Sequence, residues 1–213
     1  MGSIHEPSYA PPREPPFPVG TSPFRQKGAA YLADERYDDA TLPGGFRGLL
    51  AQAPDPLRAF FLKGFRASEW YDAYPGAMLE ALAARVRSLP FEQHRVRTGT
   101  WHAEDAVKGI YGALLKLVSN ENVATWAPRI SGIYFEFGKT ETRVAGPRLV
   151  TGVRRGVPVE LAQWLMFASA GFGTEFLRRA GGRNAKTEIG EVTPDGRSYG
   201  RDLVKVELRL TWD

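Results

Sequence analysis

The sequence predicts an α+β domain in which helices pack on one face of a four-stranded antiparallel sheet, with the element order ααα-ββ-α-ββ. From residue 204 to residue 212, apolar and polar residues alternate strictly. This period of two is typical of an antiparallel strand with one face on a core and the other in water. Several earlier segments repeat apolar residues at spacings of three and four, as amphipathic helices do. The chain is 43% apolar and 12% aromatic, which is enough to build a packed interior.

The N-terminal segment is rich in proline, with six among the first twenty residues. Because proline lacks an amide hydrogen and restricts the backbone, we expect residues 1–27 to form a disordered arm and residues 28–213 to form a single domain. Residues 28–55 contain many acidic side chains and the turn sequence Pro43-Gly44-Gly45. This segment is predicted to be a polar loop.

Three helices are predicted before the first strand. Asp55 followed by Pro56 is typical of a helix start. A second helix is predicted to begin near Tyr74 and to stop before Pro90. Thr100 is predicted to cap a third helix. The apolar stripe of that helix consists of Ala103, Val107, Ile110, Tyr111, Leu114 and Val118.

Strand patterns begin after Pro128. Residues 133–137 alternate with period two and predict a first strand, and residues 142–153 predict a second that is bulged or split near Gly146-Pro147. A helix is predicted from Pro158 to a glycine C-cap at Gly181-Gly182. Residues 185–189 and 204–212 complete the sheet, with a turn at residues 193–196 between them.

Composition excludes several classes of function. The chain has no cysteine, so disulfides, thiolate nucleophiles and cysteine-based zinc sites are ruled out. It has no secretory signal pattern and no apolar run long enough to span a bilayer, which predicts a cytoplasmic protein without a membrane span. The net charge is +4, but no aromatic-interleaved basic motif accompanies it, so nucleic acid is not an expected partner.

The C-terminal part of the chain carries a resemblance to a known fold group. Its short motifs are Gly156-Val157-Pro158, Trp164, Gly181-Gly182-Arg183-Asn184 and Leu210-Thr211-Trp212. With the predicted element order, they resemble the group of vinyl-reductase-type domains, heme-NO-binding domains and TRAPP subunits. Within that group the chain looks most like an uncharacterised family of myxobacterial paralogues.

The resemblance implies an antiparallel sheet with helices on one side and an apolar cavity between them for a hydrophobic ligand. The sequence departs from two of these relatives. Lipid-modified TRAPP subunits use a cysteine, which is absent here, and heme-NO-binding domains use a proximal histidine with a Tyr-x-Ser-x-Arg signature, which is also absent. We therefore predict no cofactor and disfavour heme, while His94 and His102 remain ligands to test.

Histidine is the first candidate for catalysis. His102 stands beside the carboxylates Glu104 and Asp105, and His102 with Glu104 could form an acid/base pair. The same acids also suit the first turn of a helix capped by Thr100, which is the favoured interpretation. The spacing of His94 and His102 matches no metal motif. No catalytic residue and no metal ligand is assigned, and an enzyme is the less favoured hypothesis.

Aromatic side chains supply the candidate binding site. Such residues pack cores but also line ligand pockets, where a few polar groups fix the ligand. The candidate ligand-binding residues are Trp101, Tyr111, Tyr134, Phe135, Arg143, Trp164, Phe167 and Phe172. The sequence thus favours a sensor or regulatory module for a small hydrophobic molecule. The alternatives are a protein-interaction subunit that forms a dimer and an enzyme that uses His102 and Glu104.

Overall fold

The computed structural model describes residues 2–106, 119 and 122–213. Within these residues there are seven α-helices: α1 Gly28–Thr41, α2 Gly45–Leu50, α3 Asp55–Leu62, α4 Ala73–Val86, α5 Phe91–Ala106, α6 Val123–Tyr134 and α7 Ala162–Arg179. The strands of the same residues are β1 Arg25–Lys27, β2 Trp70–Asp72, β3 Lys139–Gly146, β4 Leu149–Pro158, β5 Lys186–Ser198 and β6 Arg201–Thr211.

The principal sheet has four antiparallel strands in the order β3-β4-β6-β5. In the central pair, Val150 lies opposite Leu210 and Arg154 opposite Val206. β1 and β2 pair separately as a two-stranded antiparallel sheet. The predicted α+β class with a four-stranded antiparallel sheet is therefore confirmed.

One face of the principal sheet is covered by helix. Val204, Val206 and Leu210 of β6 are buried, and they alternate with partly or fully exposed residues. α7 packs on this face and contributes Trp164 and Leu165, both nearly inaccessible to solvent. The strict alternation at the C-terminus therefore marks the core side of β6, as expected for a one-sided sheet.

The predicted strand at residues 133–137 is wrong, because α6 continues through Tyr134. Pro128 lies inside this helix and cannot donate a hydrogen bond to the carbonyl of Ala124. The hydroxyl of Thr142, from the neighbouring strand β3, donates to that carbonyl instead. The tertiary contact thus replaces the bond that proline removes, and the helix persists where local sequence predicts a break.

Residues 142–153 belong to two strands that separate at Gly146-Pro147, which is the split alternative of the prediction. β3 and β4 pair as a hairpin, with Arg148 at a φ of 60° in the connection. The apparent bulge at Gly146-Pro147 is the end of the first strand. The sheet therefore keeps four strands although the predicted strand at 133–137 does not exist.

Helix boundaries also differ from the expected ones. Residues 28–41, predicted as loop, form α1. α5 begins at Phe91, directly after Pro90, and the Thr100 hydroxyl donates to the carbonyl of Val96 inside the helix instead of capping it. The stripe residues Val107, Ile110, Tyr111, Leu114 and Val118 lie outside the described part of the chain. The C-cap is as expected, since Gly181 has a φ of 99° and the amide of Gly182 donates to Leu177.

The proline-rich arm packs against its own domain, in contrast to the expected disorder. Gly2 forms an antiparallel bridge to Val192 of β5, and Ile4 is buried in the main core. The side chain of Gln163 donates to the carbonyls of Ile4 at 2.8 Å and Glu6 at 3.0 Å. Extended proline-rich chain can lie on a surface without internal hydrogen bonds, and here α7 supplies the donors.

Among the described helices, none has the length and apolarity needed to cross a bilayer.

Candidate ligand cavity

A cavity of about 310 Å³ lies between the helices and the principal sheet. Its volume is within the range of small-molecule sites. The walls come from α1, α5, α6, α7 and the inner face of the sheet, and they are mostly apolar. The apolar lining in the described residues includes Ala30, Ala33, Ala127, Ile130, Phe135, Trp164, Leu165, Met166, Phe172, Leu208 and Leu210.

Four of the candidate residues from the sequence line this cavity: Tyr134, Phe135, Trp164 and Phe172. Trp101, Arg143 and Phe167 are not part of the lining. The ring of Phe167 packs 5.7 Å from that of His5, and the ring of Trp101 packs 5.7 Å from that of Tyr37. Tyr111 lies outside the described residues.

Arg143 is not placed as the polar anchor that the sequence suggested. It is exposed on β3, at the edge of the sheet, and its Nε donates to the Thr151 hydroxyl at 3.2 Å. Arg154 of β4 lines the cavity instead. It shares the inward face of β4 with Val150, because residues four apart in a strand point the same way. That alternation was the signal in the sequence that could have identified Arg154.

Cations and aromatic rings alternate along one wall of the cavity. The guanidinium of Arg154 lies 5.5 Å from the ring of Phe135, which makes an edge contact with Trp164 at 5.9 Å. The guanidinium of Arg95 lies 5.4 Å from the ring of Trp164. Such cation–π contacts hold charged groups at the edge of an otherwise apolar space.

Arg154 is almost fully buried, with 4% of its surface exposed. Its Nη1 donates to the Thr140 hydroxyl at 2.9 Å and its Nη2 to the carbonyl of Phe137 at 2.7 Å. Burial lowers the pKa of Arg154 to about 10, so the guanidinium remains charged at neutral pH. A charged donor is therefore fixed at the cavity wall.

A cluster of buried charges surrounds Arg95, next to the cavity. The Oε2 atom of Glu80 is 2.7 Å from Arg95 Nη1 and 2.8 Å from His94 Nε2. Burial by itself would raise the pKa of Glu80, but the charges of Arg95 and His94 hold it below its usual range. Glu80 is thus the anionic centre that compensates Arg95.

His102 reaches the cavity from α5 and is held by a carboxylate of α1. Its Nε2 is 2.7 Å from Asp34 Oδ1, and both residues line the cavity. Burial and the negative charge of Glu80 raise the pKa of Asp34, while His102 and Arg95 partly offset the rise. Glu104 contacts Arg179 at 3.5 Å instead of His102. The suggested His102–Glu104 acid/base pair is therefore not brought together.

Comparison with known proteins identifies the fold. No protein-family model and no curated protein sequence matches the chain. Among solved structures, one concerning heme redox potential and protein-induced porphyrin distortion aligns with a TM-score of 0.61 at 7% identity, covering 87% of this chain and 99% of that one. A mutant H-NOX protein from K. algicida in the unliganded Fe(II) state aligns with a TM-score of 0.58 at 10% identity, covering 88% and 97%.

An oxygen-binding H-NOX domain related to soluble guanylate cyclases, solved as its oxygen complex, aligns with a TM-score of 0.56 at 8% identity, covering 87% of this chain and 92% of that one. This chain has the H-NOX fold. At such identities the likeness establishes the fold alone. It confirms the resemblance to heme-NO-binding domains at the level of the fold.

These neighbours contradict the prediction that no cofactor is bound and that heme is disfavoured. That prediction rested on the missing Tyr-x-Ser-x-Arg signature. At 7–10% identity, however, the fold is shared while nearly all residues differ, so the absence of one motif says little about what the cavity of this chain holds. The cavity itself must be judged by its side chains.

The side chains of the cavity fit a heme. His102 and Met166 line it, and both are side-chain types that ligate heme iron. Asp34 holds one ring nitrogen of His102, which is how a metal-bound histidine is normally oriented by a carboxylate. Arg154 supplies a buried cation for a propionate, and the remaining walls are apolar.

Proposed function

We propose that this chain is a small-molecule sensor module that binds its ligand in the cavity, and that heme is the first ligand to test. The observation that carries the proposal is the pairing of His102 with Asp34 on the wall of a largely apolar cavity. Heme, when bound, supplies an iron with a coordination position for a small ligand. His102 would hold the iron, Asp34 would orient the His102 ring, and Arg154 and Thr140 would bind an acidic group.

The wall of the cavity is also linked to helices beyond it, which supports a regulatory role. Asp34 belongs to α1, and Arg95 of α5 contacts Glu80 of α4. A ligand that displaces His102 or Arg95 therefore changes the ion pairs that join α5 to α1 and α4. Buried ion pairs have few alternative partners, so such a displacement is transmitted as a movement of helices.

Hemin titration tests the proposal. Purified full-length protein is titrated with hemin while the Soret absorbance is followed, and His102→Ala is compared with His5→Ala. His5 is the matched control because its side chain is 60% exposed and lies outside the cavity lining. We expect wild type and His5→Ala to give the same saturable spectrum, and His102→Ala to shift it and to bind at least about tenfold more weakly.

Circular dichroism of each variant verifies that it is folded. A wild type that does not bind hemin would contradict heme as the ligand. Unchanged binding and spectrum in His102→Ala would contradict the assignment of His102 as the iron ligand.

The two alternative functions have less support. A dimer held together by the proline-rich arm would need that arm to be free, but Ile4 is buried in its own domain and Gln163 binds the arm backbone. An enzyme that uses His102 and Glu104 lacks the contact between them. The likeness to vinyl-reductase-type domains, TRAPP subunits and the myxobacterial family stays a prediction from the sequence.

A further inference from the structure

Among the described residues that line the cavity, Arg36 of α1 is the only exposed one. Its side chain is 51% accessible to solvent, and that of Asp105 on α5, which also lines the cavity, is 21% accessible. The other described lining residues are buried or partly buried. The cavity therefore comes closest to solvent beside Arg36, between α1 and α5.

Arg36 and Asp105 form a bidentate ion pair at this position. Nε of Arg36 donates to Oδ1 of Asp105 at 3.0 Å, and Nη2 of Arg36 donates to Oδ2 of Asp105. Two parallel bonds fix the plane of a guanidinium as well as its distance from the carboxylate. Because the two residues belong to different helices, their side chains span the gap between α1 and α5.

The two helices are held in place by other contacts. A Cβ on Gly99 of α5 would lie 2.1 Å from the carbonyl oxygen of Ala168, so α5 lies directly against α7. At the start of α1, the amide of Gly28 donates to the carbonyl of Glu69 at 2.9 Å. Exposed side chains change rotamer much faster than packed helices move. Rotation of Arg36 into solvent is therefore the simplest movement that opens the gap.

A second ion pair joins the same helices at a less accessible position. Nε2 of His102 lies 2.7 Å from Oδ1 of Asp34, and these side chains are 16% and 6% exposed. Salt screens exposed pairs more strongly than buried ones, and exposed pairs are also the weaker ones. The pair of Arg36 and Asp105 can therefore break while the pair that orients His102 remains formed.

We propose that the ion pair of Arg36 and Asp105 is a gate of the cavity. While the pair is formed, it blocks the route between α1 and α5, and when Arg36 rotates into solvent a small molecule can pass. The inference rests on the proposed function, since a gate is of use only if the cavity takes up a ligand. A gate acts equally on entry and on exit, so it sets the rates of binding and release and leaves the affinity unchanged.

An introduced thiol measures access to the cavity without any ligand. The chain has no cysteine, so a single substitution gives a single labelling site. Ala30 of α1 lines the cavity and is 6% exposed. Full-length Ala30→Cys protein is treated with an uncharged dipyridyl disulfide, and the absorbance of the released thiopyridone gives the labelling rate. The same protein in urea gives the rate of the fully accessible thiol.

Breaking the gate is expected to speed labelling. Combined with Ala30→Cys, both Arg36→Gln and Asp105→Asn should raise the rate about threefold or more. Together they should have no larger effect than either alone, because both remove the same interaction. Glu104→Gln is the matched control: it neutralises the neighbouring acid of α5, which contacts Arg179 outside the cavity lining. Its labelling rate should equal that of Ala30→Cys alone.

Salt tests the gate without a gate variant. Raising sodium chloride to about 1 M should speed labelling of Ala30→Cys, because it screens an exposed ion pair. The same salt should have little effect once Arg36→Gln and Asp105→Asn are both present. Circular dichroism verifies that each protein is folded.

Hemin kinetics then connect the gate to the ligand. In Arg36→Gln, with no introduced thiol, we expect the association and dissociation rate constants of hemin to rise by the same factor of about three or more, with an unchanged dissociation constant. Stopped-flow absorbance measures association, and capture of released hemin by excess apomyoglobin measures dissociation.

The outcomes separate this inference from the proposed function. Equal labelling rates in Arg36→Gln, Asp105→Asn and Glu104→Gln, or no effect of salt, would overturn the gate and leave the sensor proposal standing. A weaker affinity for hemin in Arg36→Gln at an unchanged association rate would also overturn it, since Arg36 would then hold the ligand. A wild type that does not bind hemin would contradict heme as the ligand, whereas the labelling rates would still decide whether the gate exists.

Discussion

Three buried carboxylates, those of Asp34, Asp38 and Glu80, lie where α1, α4 and α5 meet. Two arginines compensate them: Arg87 is 2.7 Å from Asp38, and Arg95 is 2.7 Å from Glu80. Burial and repulsion by Glu80 raise the pKa of Asp38 from its usual 3.8 to about 8, although Arg87 lowers it in part.

This shift predicts a loss of stability as pH rises. Folded Asp38 keeps its proton up to about pH 8, whereas the unfolded chain releases it near its usual value of 3.8. Between these two pH values the folded state therefore binds more protons than the unfolded state. The stability that protonated Asp38 contributes is complete below the lower pKa and is lost once the pH reaches the upper pKa. Within this pH range, each rise of one pH unit lowers the free energy of unfolding by at most about 1.4 kcal/mol.

Asp38→Asn removes this titration while its side-chain oxygen can still accept from Arg87. We expect the free energy of unfolding of the variant minus that of wild type to increase by up to about 4 kcal/mol from pH 5 to pH 8. Urea titration at each pH measures both values. Parallel pH dependence of the two proteins would contradict the raised pKa of Asp38.

Two helices approach unusually closely behind the cavity. Where α5 crosses α7, a Cβ on Gly99 would lie 2.1 Å from the carbonyl oxygen of Ala168, and a Cβ on Gly171 would lie 2.0 Å from that of Val96. No heavy atom can occupy these positions, so the crossing requires glycine on both helices. It fixes α5, and with it His102 and Arg95, relative to α7.

The crossing predicts opposite effects of glycine-to-alanine changes in two helices. Gly171→Ala is expected to lower the free energy of unfolding by about 3 kcal/mol or more, because the backbone must separate. Gly132→Ala, at an exposed position of α6 with no atom within 4 Å of its Cβ position, should raise the free energy of unfolding by up to about 1 kcal/mol through helix propensity. Urea unfolding of both variants measures these changes. A mild effect at Gly171 would show that α5 and α7 can move apart.

At the scale of elements, the sequence correctly predicted the features whose signal lies entirely within their own residues. The alternation of β6 and the glycine cap of α7 are confirmed. The segment at 133–137 was misassigned because α6 depends on a bond from Thr142, which is distant in sequence from Ala124. α1 was missed because its buried Asp34 and Asp38 make it look polar. Partners in other helices bury these carboxylates, and no local pattern records them.

At the scale of the molecule, the cavity is the space that helices and sheet leave between them. A ligand that fills it adds its binding free energy to stability, about 2.7 kcal/mol at a hundred times the dissociation constant. A larger side chain of the protein itself could also fill this space. Ala127 of α6 lines the cavity, whereas Thr125 of the same helix is exposed.

Filling the cavity should therefore abolish ligand stabilisation. In Ala127→Leu we expect the melting temperature without ligand to stay equal or rise, and the increase that hemin causes in wild type to disappear. Thr125→Leu adds apolar volume outside the cavity and should keep the increase. Thermal unfolding with and without hemin measures both. A full hemin effect in Ala127→Leu would place the binding site elsewhere.

The sequence by itself determined the α+β class, the antiparallel sheet, the C-terminal strand and four aromatic residues of the cavity, because these follow from periodicity and from the bulk of side chains. Only the tertiary structure decided that His102 pairs with Asp34, that Arg95 has Glu80 for a partner and that Arg154 has none among the described residues. Each of these facts concerns the charge that surrounds a side chain after folding. That environment is assembled from elements far apart in the chain, so no spacing within one element encodes it.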